Sequence, residues 1–392
     1  MTFEKRHLAL CGLGVWSQDH TPSFDKTFLK FFEGLVRPSV KNIKEYVPGK
    51  SIEEIAQKYG LDPGKIIKLG SNENPLGPSP LAVSAIRETA GKIHLYPPSD
   101  ALDLRKAISA YTGYPVDNIV VSGNGMDGIL DTMMRLFMTP EAGTIIPIPT
   151  FSYYEIATLA NGGKPVFVER NSDFAIEPES ILDKVKESTK MIFLCSPNNP
   201  SGNTVSEKDA RKILESVDAI VFVDEAYADF SGHTLMGLVK EYDNLIIGRT
   251  FSKAFGLAGM RMGYAVVPEW IAREYMKVMT PFSVDVLSSV GGIAALNDRE
   301  HLKICLETVK RGRIQLSKGL APLCKVYPSE ANFILIDVSP RTAAEVSESL
   351  LRKGIIVRDC TSFRGAGQSL IRITVGTEEQ NEKAIEALKA VL

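Results

Sequence analysis

The sequence lacks the features that would point to a specialised class of protein. Its cysteines, Cys11, Cys195, Cys305, Cys324 and Cys360, are scattered without a Cys-x-x-Cys pair, which predicts reduced thiols rather than a disulfide framework or a zinc site. Its 45 basic and 47 acidic residues nearly cancel, so charge gives no reason to expect nucleic acid or an anionic membrane as a partner. We therefore expect a cytoplasmic protein without a metal site, and 392 residues suffice for two domains.

The chain also lacks an apolar run long enough to span a bilayer. Residues 8–16 are apolar and follow the basic Lys5 and Arg6, which imitates a short secretory signal. No small-x-small cleavage site follows, because residues 18–20 are polar. A disordered extension, or a start codon placed too far upstream, is the expected explanation of residues 1–33.

The most informative segment of the chain surrounds Lys253. An apolar run at residues 245–247 predicts a buried strand, which delivers Ser252 and Lys253 into a glycine-rich segment that ends near Arg261. A hydroxyl together with a guanidinium forms a phosphate-binding pair. A lysine beside a phosphate site indicates an aldehyde cofactor that carries a phosphate. Pyridoxal phosphate, held by Lys253 as a Schiff base, is the common one.

A second part of the sequence also predicts an anion site. Residues 118–122 form a predicted strand and residues 129–137 a predicted helix, with a glycine-rich turn between them. Free backbone N–H groups and the helix dipole face a phosphate in such an arrangement. Gly125, Met126 and Asp127 are the expected cofactor contacts at this turn.

The same turn, at residues 123–128, matches the G-x-G-x-x-G fingerprint of dinucleotide-binding proteins. A nicotinamide oxidoreductase is therefore a competing hypothesis. That fingerprint requires an acidic residue about twenty positions later, at the end of the next strand. The next predicted strand, at residues 144–149, ends without an acid, so the oxidoreductase is the weaker interpretation.

An aspartate ends another apolar strand further along the chain. Residues 219–223 are apolar and lead to Asp224, and open α/β sheets present such carboxylates to their ligands. An aspartate there stays ionised beside a cation, and a pyridinium nitrogen is one. A protonated pyridine is the electron sink that stabilises the carbanion left when the Cα proton is removed. Asn199 follows a similar strand at residues 191–195, where turn chemistry alone would also explain it.

Taken together, these motifs resemble the histidinol-phosphate aminotransferases among the fold-type-I pyridoxal-phosphate enzymes. The resembling motifs are Tyr-Val-Pro-Gly-Lys at 46–50, Asn-Glu-Asn-Pro-Leu-Gly at 72–77, His-Leu-Tyr-Pro at 94–97, Asn-Asn-Pro-Ser-Gly at 198–202, Asp-Glu-Ala-Tyr at 224–227 and Ser-Lys followed by Arg-x-Gly-Tyr at 252–264. The resemblance extends over residues 36–392. One mild departure is Leu76, where the family often has an aromatic residue.

The resemblance implies an α/β protein with the fold of the type-I pyridoxal-phosphate-dependent transferases. A large domain around a mostly parallel central sheet is expected at residues 71–280, and a smaller α/β domain at residues 281–392. An arm and a helix at residues 34–70 are expected on the small-domain side. The small domain is placed after residue 280 because residues 281–287 look less regular.

The resemblance also implies roles for individual residues around the cofactor. Lys253 would hold the cofactor and shuttle the proton between the substrate Cα and the cofactor C4′. Asn199 and Tyr227 would donate hydrogen bonds to its phenolic oxygen. Phe151 would stack on its ring, without a hydrogen bond of its own. Tyr96 would reach the cofactor phosphate of a neighbouring subunit, which implies a homodimer with shared active sites.

Substrate binding is expected from arginines in the C-terminal part of the chain. Arg372 lies among apolar neighbours on a predicted strand, an unfavourable place for a permanent cation unless an anion meets it. The resemblance supplies that anion, a substrate carboxylate or phosphate bound bidentately. Arg358, Tyr46 and Asn199 are the further candidates. These side chains could serve a phosphate or a carboxylate equally, so the amino donor stays open.

The activity that the resemblance implies is amino-group transfer between glutamate and imidazole acetol phosphate, which gives 2-oxoglutarate and L-histidinol phosphate. Two alternatives share the fold, an aromatic or broad-range aminotransferase and an amino-acid-phosphate decarboxylase. A third is a regulator that binds pyridoxal phosphate without turnover, and the lack of a DNA-binding helix-turn-helix extension disfavours it.

Overall fold

The computed structural model describes residues 33–41 and 43–392. The chain divides into two units, residues 1–42 and residues 43–392. In the first unit the described residues contain one short helix, α1 (Pro38–Lys41). The sequence prediction about residues 1–33 and the cysteine Cys11 lie outside the described residues, apart from residue 33. The second unit contains all the elements that follow.

The strands of the second unit form three sheets. The strands are β1 (Ile67–Lys68), β2 (Ile119–Ser122), β3 (Gly143–Ile148), β4 (Lys164–Glu169), β5 (Thr189–Cys195), β6 (Ile220–Asp224), β7 (Leu245–Thr250), β8 (Gly263–Val266), β9 (Lys325–Tyr327), β10 (Phe333–Asp337), β11 (Ile355–Ile356), β12 (Arg358–Asp359) and β13 (Leu370–Thr374). The largest sheet has seven strands in the order β2-β8-β7-β6-β5-β3-β4. Only β8 runs antiparallel to its neighbours in this sheet, which agrees with the predicted α/β class.

Helices cover this sheet and continue beyond it. They are α2 (Ile52–Tyr59), α3 (Pro80–Thr89), α4 (Leu102–Thr112), α5 (Gly125–Phe137), α6 (Tyr153–Ala160), α7 (Pro178–Leu182), α8 (Glu207–Glu215), α9 (Ala228–Ser231), α10 (Glu269–Val278), α11 (Val286–Asn297), α12 (Arg299–Leu320), α13 (Ala343–Arg352) and α14 (Glu378–Lys389). None of the helices in the described part of the chain has the length and apolar character needed to cross a membrane.

Two helices differ from the sequence prediction. Helix α5 begins at Gly125, four residues before the predicted start, so the glycine-rich turn is shorter than expected. Helix α11 occupies residues that continue the stretch predicted to be irregular. Its Gly291 and Gly292 lower intrinsic helix propensity, which hid the helix in the sequence. They fit close packing, because a Cβ on Gly291 would lie 2.9 Å from Ile86 Cδ1 and that side-chain end would have to shift.

Alternation along the central strands explains why both faces of the sheet are covered. In β6, Val221 and Val223 belong to one apolar cluster, while Ile220 and Phe222 belong to another. Successive side chains of a strand point to opposite faces, and a parallel sheet buries both of them. This burial accounts for the continuous apolar runs in the sequence. It leaves the ends of the strands as the places where polar groups can meet a ligand.

The C-terminal part of the chain adds a four-stranded sheet in the order β12-β13-β10-β9. Strand β13 is central in it, and its Arg372 lies opposite Leu335 on β10 and Arg358 on β12. Strand β1 pairs in parallel with β11, which joins the segment before residue 70 to the C-terminal part. The predicted boundaries between a large and a small domain stay a prediction.

Candidate active site

A cleft of about 260 Å³ opens at the carboxyl edge of the central sheet. Parallel pairing places Cys195 at the end of β5 opposite Asp224 at the end of β6, and Asp224 opposite Gly248 on β7. The residues predicted from sequence that line this cleft are Tyr46, Met126, Asp127, Phe151, Asn199, Asp224, Tyr227, Ser252, Lys253, Arg261, Arg358 and Arg372.

Two of the predicted residues do not line the cleft. Gly125 is the first residue of α5, directly before the lining residue Met126. Tyr96 is 87% exposed, and its ring lies 5.2 Å from that of Phe282. Within one chain, therefore, Tyr96 is not part of this cleft.

Lys253 projects into the cleft from the loop after β7. Its Nζ donates to the backbone carbonyl of Ser71 at 3.3 Å and lies 5.7 Å from the centre of the Tyr227 ring. Burial, and after it the positive charge of Arg372, lowers the pKa of Lys253 to about 8. The neutral amine, which a nucleophile or base requires, is therefore far more abundant near neutral pH than in an ordinary lysine.

Asp224 is a buried carboxylate that faces the cleft. Its Oδ2 accepts a hydrogen bond from the Tyr154 hydroxyl at 2.6 Å, and its Oδ1 accepts one from the Ala226 N–H at 3.0 Å. Burial raises the pKa of Asp224 to about 6, although the bond from Tyr154 opposes that rise. No ion pair to Asp224 is found among the described residues, so a cationic ligand atom would meet a carboxylate that has hydrogen bonds but no positive charge beside it.

Sequence reasoning missed Tyr154. Its ring stacks on Phe193 at 4.6 Å with an interplanar angle of 5°, and its side chain is fully buried. Tyr154 is the second residue of α6 and follows Phe151, which lies just before that helix, by three residues. That spacing was the one available signal, because nothing local identifies the strand to which the hydroxyl reaches.

The amino end of α5 and Arg261 form the anion-binding end of the cleft. Arg261 Nη2 donates to Asp127 Oδ2 at 3.2 Å and to the Asn124 carbonyl at 3.4 Å. A Cβ on Gly125 would lie 3.0 Å from Arg261 Nη2, so glycine permits this close approach. Unpaired N–H groups of the first helical turn and a guanidinium suit a phosphate.

The other glycines of this turn have packing reasons that do not involve a dinucleotide. A Cβ on Gly123 would lie 1.6 Å from the Ser283 carbonyl oxygen, and one on Gly128 would lie 2.0 Å from Ser122 Oγ. The glycine spacing therefore follows from close packing around the turn. This removes the main support for the oxidoreductase hypothesis.

Arg372 is a buried cation without an anionic partner. Its Nη1 donates to Asn199 Oδ1 at 2.5 Å and its Nη2 to the Gly70 carbonyl at 2.7 Å. Its Nε is buried and has no hydrogen-bond partner, and no carboxylate pairs with it among the described residues. Burial lowers the pKa of Arg372. A guanidinium left this way at a cleft is suited to a ligand anion.

Arg358 holds the N-terminal arm against the cleft. Its Nη2 donates to the Val47 carbonyl at 2.8 Å and to Ser362 Oγ at 3.1 Å. Next to Val47, Tyr46 meets the ring of Phe151 edge-on, with centroids 6.3 Å apart. The neutral partners of Arg358 leave its charge available at the rim of the cleft.

The segment at residues 70–72 is a further component that the sequence did not reveal. Three successive residues contact the cleft side chains. The carbonyl of Gly70 accepts a hydrogen bond from Arg372, and that of Ser71 accepts one from Lys253. The side-chain amide of Asn72 donates to the hydroxyl of Tyr227. In the sequence, Asn72 belongs to the motif at residues 72–77, but nothing there indicates which side chains this segment contacts. Asn72 has a φ of +54°, and asparagine in an irregular segment is a weak signal for such a conformation.

The fold and the cleft define a class of enzyme that works on small molecules with a phosphorylated aldehyde cofactor. Residues 64–388 match the family described as aminotransferase class I and II, and the chain belongs to this family. It is a pyridoxal-phosphate-dependent aminotransferase, as the sequence predicted. The carboxylate of Asp224, the partly buried Lys253 and the anion-binding end fit the ring nitrogen, the aldehyde and the phosphate of that cofactor.

Similar proteins carry a more specific name. The histidinol-phosphate aminotransferase of Methanosarcina barkeri is 57% identical over 355 residues, which cover 91% of this chain and 96% of that protein. The crystal structure of the histidinol-phosphate aminotransferase from Clostridium acetobutylicum matches with a TM-score of 0.78 at 26% identity, over 83% of this chain and 99% of that one. The Sinorhizobium meliloti structure, a complex with pyridoxal-5'-phosphate, shares the fold with a TM-score of 0.80 at 24% identity, over 91% and 98%.

Proposed function

We propose that this enzyme transfers an amino group between L-histidinol phosphate and 2-oxoglutarate, which gives imidazole acetol phosphate and L-glutamate in histidine biosynthesis. The observation that carries this proposal is the 57% identity to a histidinol-phosphate aminotransferase over nearly the full length of both chains. The buried guanidinium of Arg372 supports it, because its hydrogen-bond partners are neutral and both amino donors of this reaction bear an anionic group.

Each part of the cofactor is assigned to particular residues of the chain. Pyridoxal phosphate supplies an electron sink for the carbanion formed at the substrate Cα. Lys253 binds its aldehyde carbon, and Asp224 holds its ring nitrogen protonated by a charge-assisted hydrogen bond. Asn199, whose Oδ1 accepts from Arg372, keeps its amide N–H groups for the phenolic oxygen, to which Tyr227 also donates. Phe151 stacks on the ring.

The phosphate of the cofactor is assigned to the other end of the cleft. The backbone N–H groups of Met126 and Asp127 lie at the start of α5 and are free to meet an anion there, whereas that of Gly125 donates to the Arg261 carbonyl at 2.8 Å. Ser252 and Arg261 add a hydroxyl and a guanidinium. None of these phosphate contacts involves Arg372, which touches the cofactor-binding residues through its bond to Asn199.

Proton transfer is assigned to Lys253 Nζ. A base works best when its pKa lies near the working pH. Burial gives Lys253 a pKa of about 8, so its neutral amine could take the proton from the substrate Cα and deliver it to the cofactor C4′. Arg372 then orients the substrate by binding its carboxylate or phosphate, with Arg358 and Tyr46 at the rim.

The test of the reaction is a comparison of substrates with the purified enzyme. We expect kcat/KM for L-histidinol phosphate, with 2-oxoglutarate as acceptor, to exceed that for phenylalanine, tyrosine and a phosphorylated amino acid. A higher value for an aromatic amino acid would contradict the proposal in favour of a broad-range aminotransferase. Release of carbon dioxide from the phosphorylated amino acid would favour the decarboxylase.

The attachment of the cofactor can be mapped directly. Borohydride reduction of the cofactor-loaded enzyme should fix a pyridoxyl group on Lys253, where peptide mapping would find it. A label on a different lysine would contradict the assignment of the whole cleft. The same experiment on Lys253→Ala, which keeps the other cleft residues, is the control.

We further infer that the enzyme is a cytoplasmic homodimer with shared active sites. Tyr96 lies in a group of exposed apolar side chains that includes Ile93, Leu95 and Phe282. Contiguous exposed apolar groups are typical of protein interfaces. A second copy of this chain that covers them would bring Tyr96 to the phosphate end of its partner's cleft.

Subunit exchange tests the shared site. Tyr96→Ala and Lys253→Ala are each expected to lose activity alone. A mixed dimer contains one site with both native residues, so mixing the two inactive variants should restore part of the activity. Absence of any recovery after proven exchange, or a strict monomer in analytical ultracentrifugation, would contradict the inference.

A further inference from the structure

Asn72 lies against the cleft, where its side chain contacts Tyr227 rather than solvent. It is 1% exposed, has a φ of +54°, and places its Nδ2 3.0 Å from the hydroxyl oxygen of Tyr227. Asparagine is one of the few residues that tolerate this left-handed conformation, and it also carries an amide group. The position therefore uses both properties of the residue.

The hydrogen bonds around Asn72 fix the direction in which its amide faces. The backbone N–H of Asn72 donates to Thr374 Oγ1 at 2.9 Å, and the Thr374 hydroxyl donates to Asn72 Oδ1 at 3.1 Å. Because Oδ1 is occupied by this hydroxyl, the NH₂ group is the side of the amide that faces Tyr227. An amide NH₂ can only donate, so the Tyr227 oxygen accepts.

A phenol that accepts a hydrogen bond keeps its own proton for another partner. The cationic side chains of the cleft, Lys253 and Arg372, offer Tyr227 no acceptor when they are charged. We propose that Asn72 is a positioning residue that directs the hydroxyl proton of Tyr227 into the cleft, toward the phenolic oxygen of the cofactor. This inference rests on the proposed function, because it requires that oxygen to lie beside Tyr227.

Hydrogen bonds to Asn332 and Thr374 hold Asn72 in place. Its backbone carbonyl accepts from Asn332 Nδ2 at 3.0 Å, and its N–H and side chain both bond to Thr374. Thr374 lies two residues after Arg372 on β13. The strand that carries the substrate arginine therefore also fixes the amide that orients Tyr227.

The test reverses the hydrogen bond without changing the shape of the residue. Asn72→Asp keeps a side chain that tolerates a left-handed backbone, but an ionised carboxylate only accepts and would draw the Tyr227 proton away from the cleft. The readout is the pH midpoint of the visible absorption change of the bound cofactor. A bond donated to the phenolic oxygen favours the deprotonated cofactor, so its loss should raise this midpoint by about one to two pH units.

A double variant separates this route from a direct effect of the new charge. Asn72→Asp should add no further rise when Tyr227→Phe is already present, because the redirected proton no longer exists. An equal rise in both backgrounds would overturn the inference, since the carboxylate would then act through its charge. Asn72→Gly permits the backbone conformation and adds no charge. It should raise the midpoint by less, and only when Tyr227 is present.

The failure of the inference and the failure of the proposed function give different results. If Tyr227→Phe raises the midpoint while Asn72→Asp and Asn72→Gly leave it unchanged, the inference about Asn72 is wrong and the proposed site stands. If Tyr227→Phe itself leaves the midpoint unchanged, the assignment of Tyr227 to the cofactor is wrong.

Two further variants show whether the effect is specific. Thr374→Ser keeps the hydroxyl that fixes the amide, so the midpoint should stay within about 0.3 pH units of the native value, whereas a larger rise would contradict the assigned network. Asn244→Asp removes a similar amide from the residue directly before β7. This amide donates to the carbonyls of Leu214, Val217 and Ala219. It should lower stability and leave the midpoint unchanged; a rise there would mean that any such substitution moves it.

Discussion

The two sides of the cleft are built in different ways. The sheet side consists of Asp224, which ends β6, and of Ser252 and Lys253, which follow β7. The two strands are parallel neighbours, so the register of one sheet places all three residues. The opposite side joins Gly70 and Arg372, which are 302 residues apart in the chain and bonded at 2.7 Å. The first side depends on local pattern and the second on tertiary packing. We expect changes at Asp224 to alter cofactor chemistry and changes at Arg372 to weaken substrate binding most.

The largest effect is expected from a change on the opposite side. Arg372→Lys keeps the charge but loses the planar fork that reaches Asn199 and Gly70, so it should not be conservative. KM for glutamate and KM for histidinol phosphate should rise together. Loss of one partner of a buried charge-assisted contact costs about 2–5 kcal/mol, or roughly 30-fold to several thousand-fold.

Cofactor binding should not change in that variant. The cofactor phosphate is assigned to Ser252, Arg261 and the start of α5, so the dissociation constant of the cofactor should stay near the native value. Spectroscopic titration of the apoprotein measures it. A variant that loses the cofactor, while its loaded fraction keeps normal KM values, would make Arg372 a structural or cofactor residue.

A smaller effect is expected from a change on the sheet side. The Tyr154 hydroxyl donates to Asp224 and so opposes the rise of its pKa that burial causes. A carboxyl group is ionised above its pKa, so Tyr154→Phe should move the acidic limb of kcat/KM to higher pH. The loss of one hydrogen bond to a charged group implies a shift of about one to two units.

Tyr275→Phe is the matched control for this prediction. Tyr275 is also a buried tyrosine of the same apolar cluster, and its hydroxyl donates to the Val121 carbonyl at 3.1 Å. Its loss should lower the melting temperature without moving the acidic limb. Equal shifts of the limb in both variants would mean that a general loosening of the core, rather than the bond to Asp224, causes the effect.

The same contrast explains which parts of the cleft are predictable from the sequence. Apolar runs that end in Asp224, or that lead into Ser252 and Lys253, are enough to place these side chains at one sheet edge. Nothing local could place Asn72 beside Tyr227, since their contact spans 155 residues. Tyr154 was missed for the same reason, because its partner belongs to a strand that begins 66 residues later (220 − 154).

Glycines misled the sequence prediction in two ways: they hid a helix, and they suggested a dinucleotide site. The glycines of α11 obscured a 12-residue helix, because sequence patterns count them against helix formation although they fit its close packing against Ile86 and Met262. The glycines at 123 and 128 suggested a dinucleotide fingerprint, and the structure gives each of them a packing partner instead. For Gly291 and Gly123 the deciding contact comes from a distant segment, whereas Gly128 packs on the nearby Ser122.

The smallest effect links the two sides of the cleft. Burial lowers the pKa of Lys253 from 10.5 to about 8, and the charge of Arg372 is the next cause. Only the neutral amine attacks an aldehyde, so the rate of cofactor attachment to the apoprotein should rise with pH through about 8 rather than 10.5.

Arg372→Met removes one cause of the lowering of the Lys253 pKa and should move this midpoint upward, whereas Arg358→Met, a similar change at the rim, should move it less. Stopped-flow measurement of the cofactor absorption against pH gives all three midpoints. A native midpoint near the ordinary lysine value of 10.5, or equal midpoints for the two variants, would show that Lys253 does not sense Arg372 across the cleft.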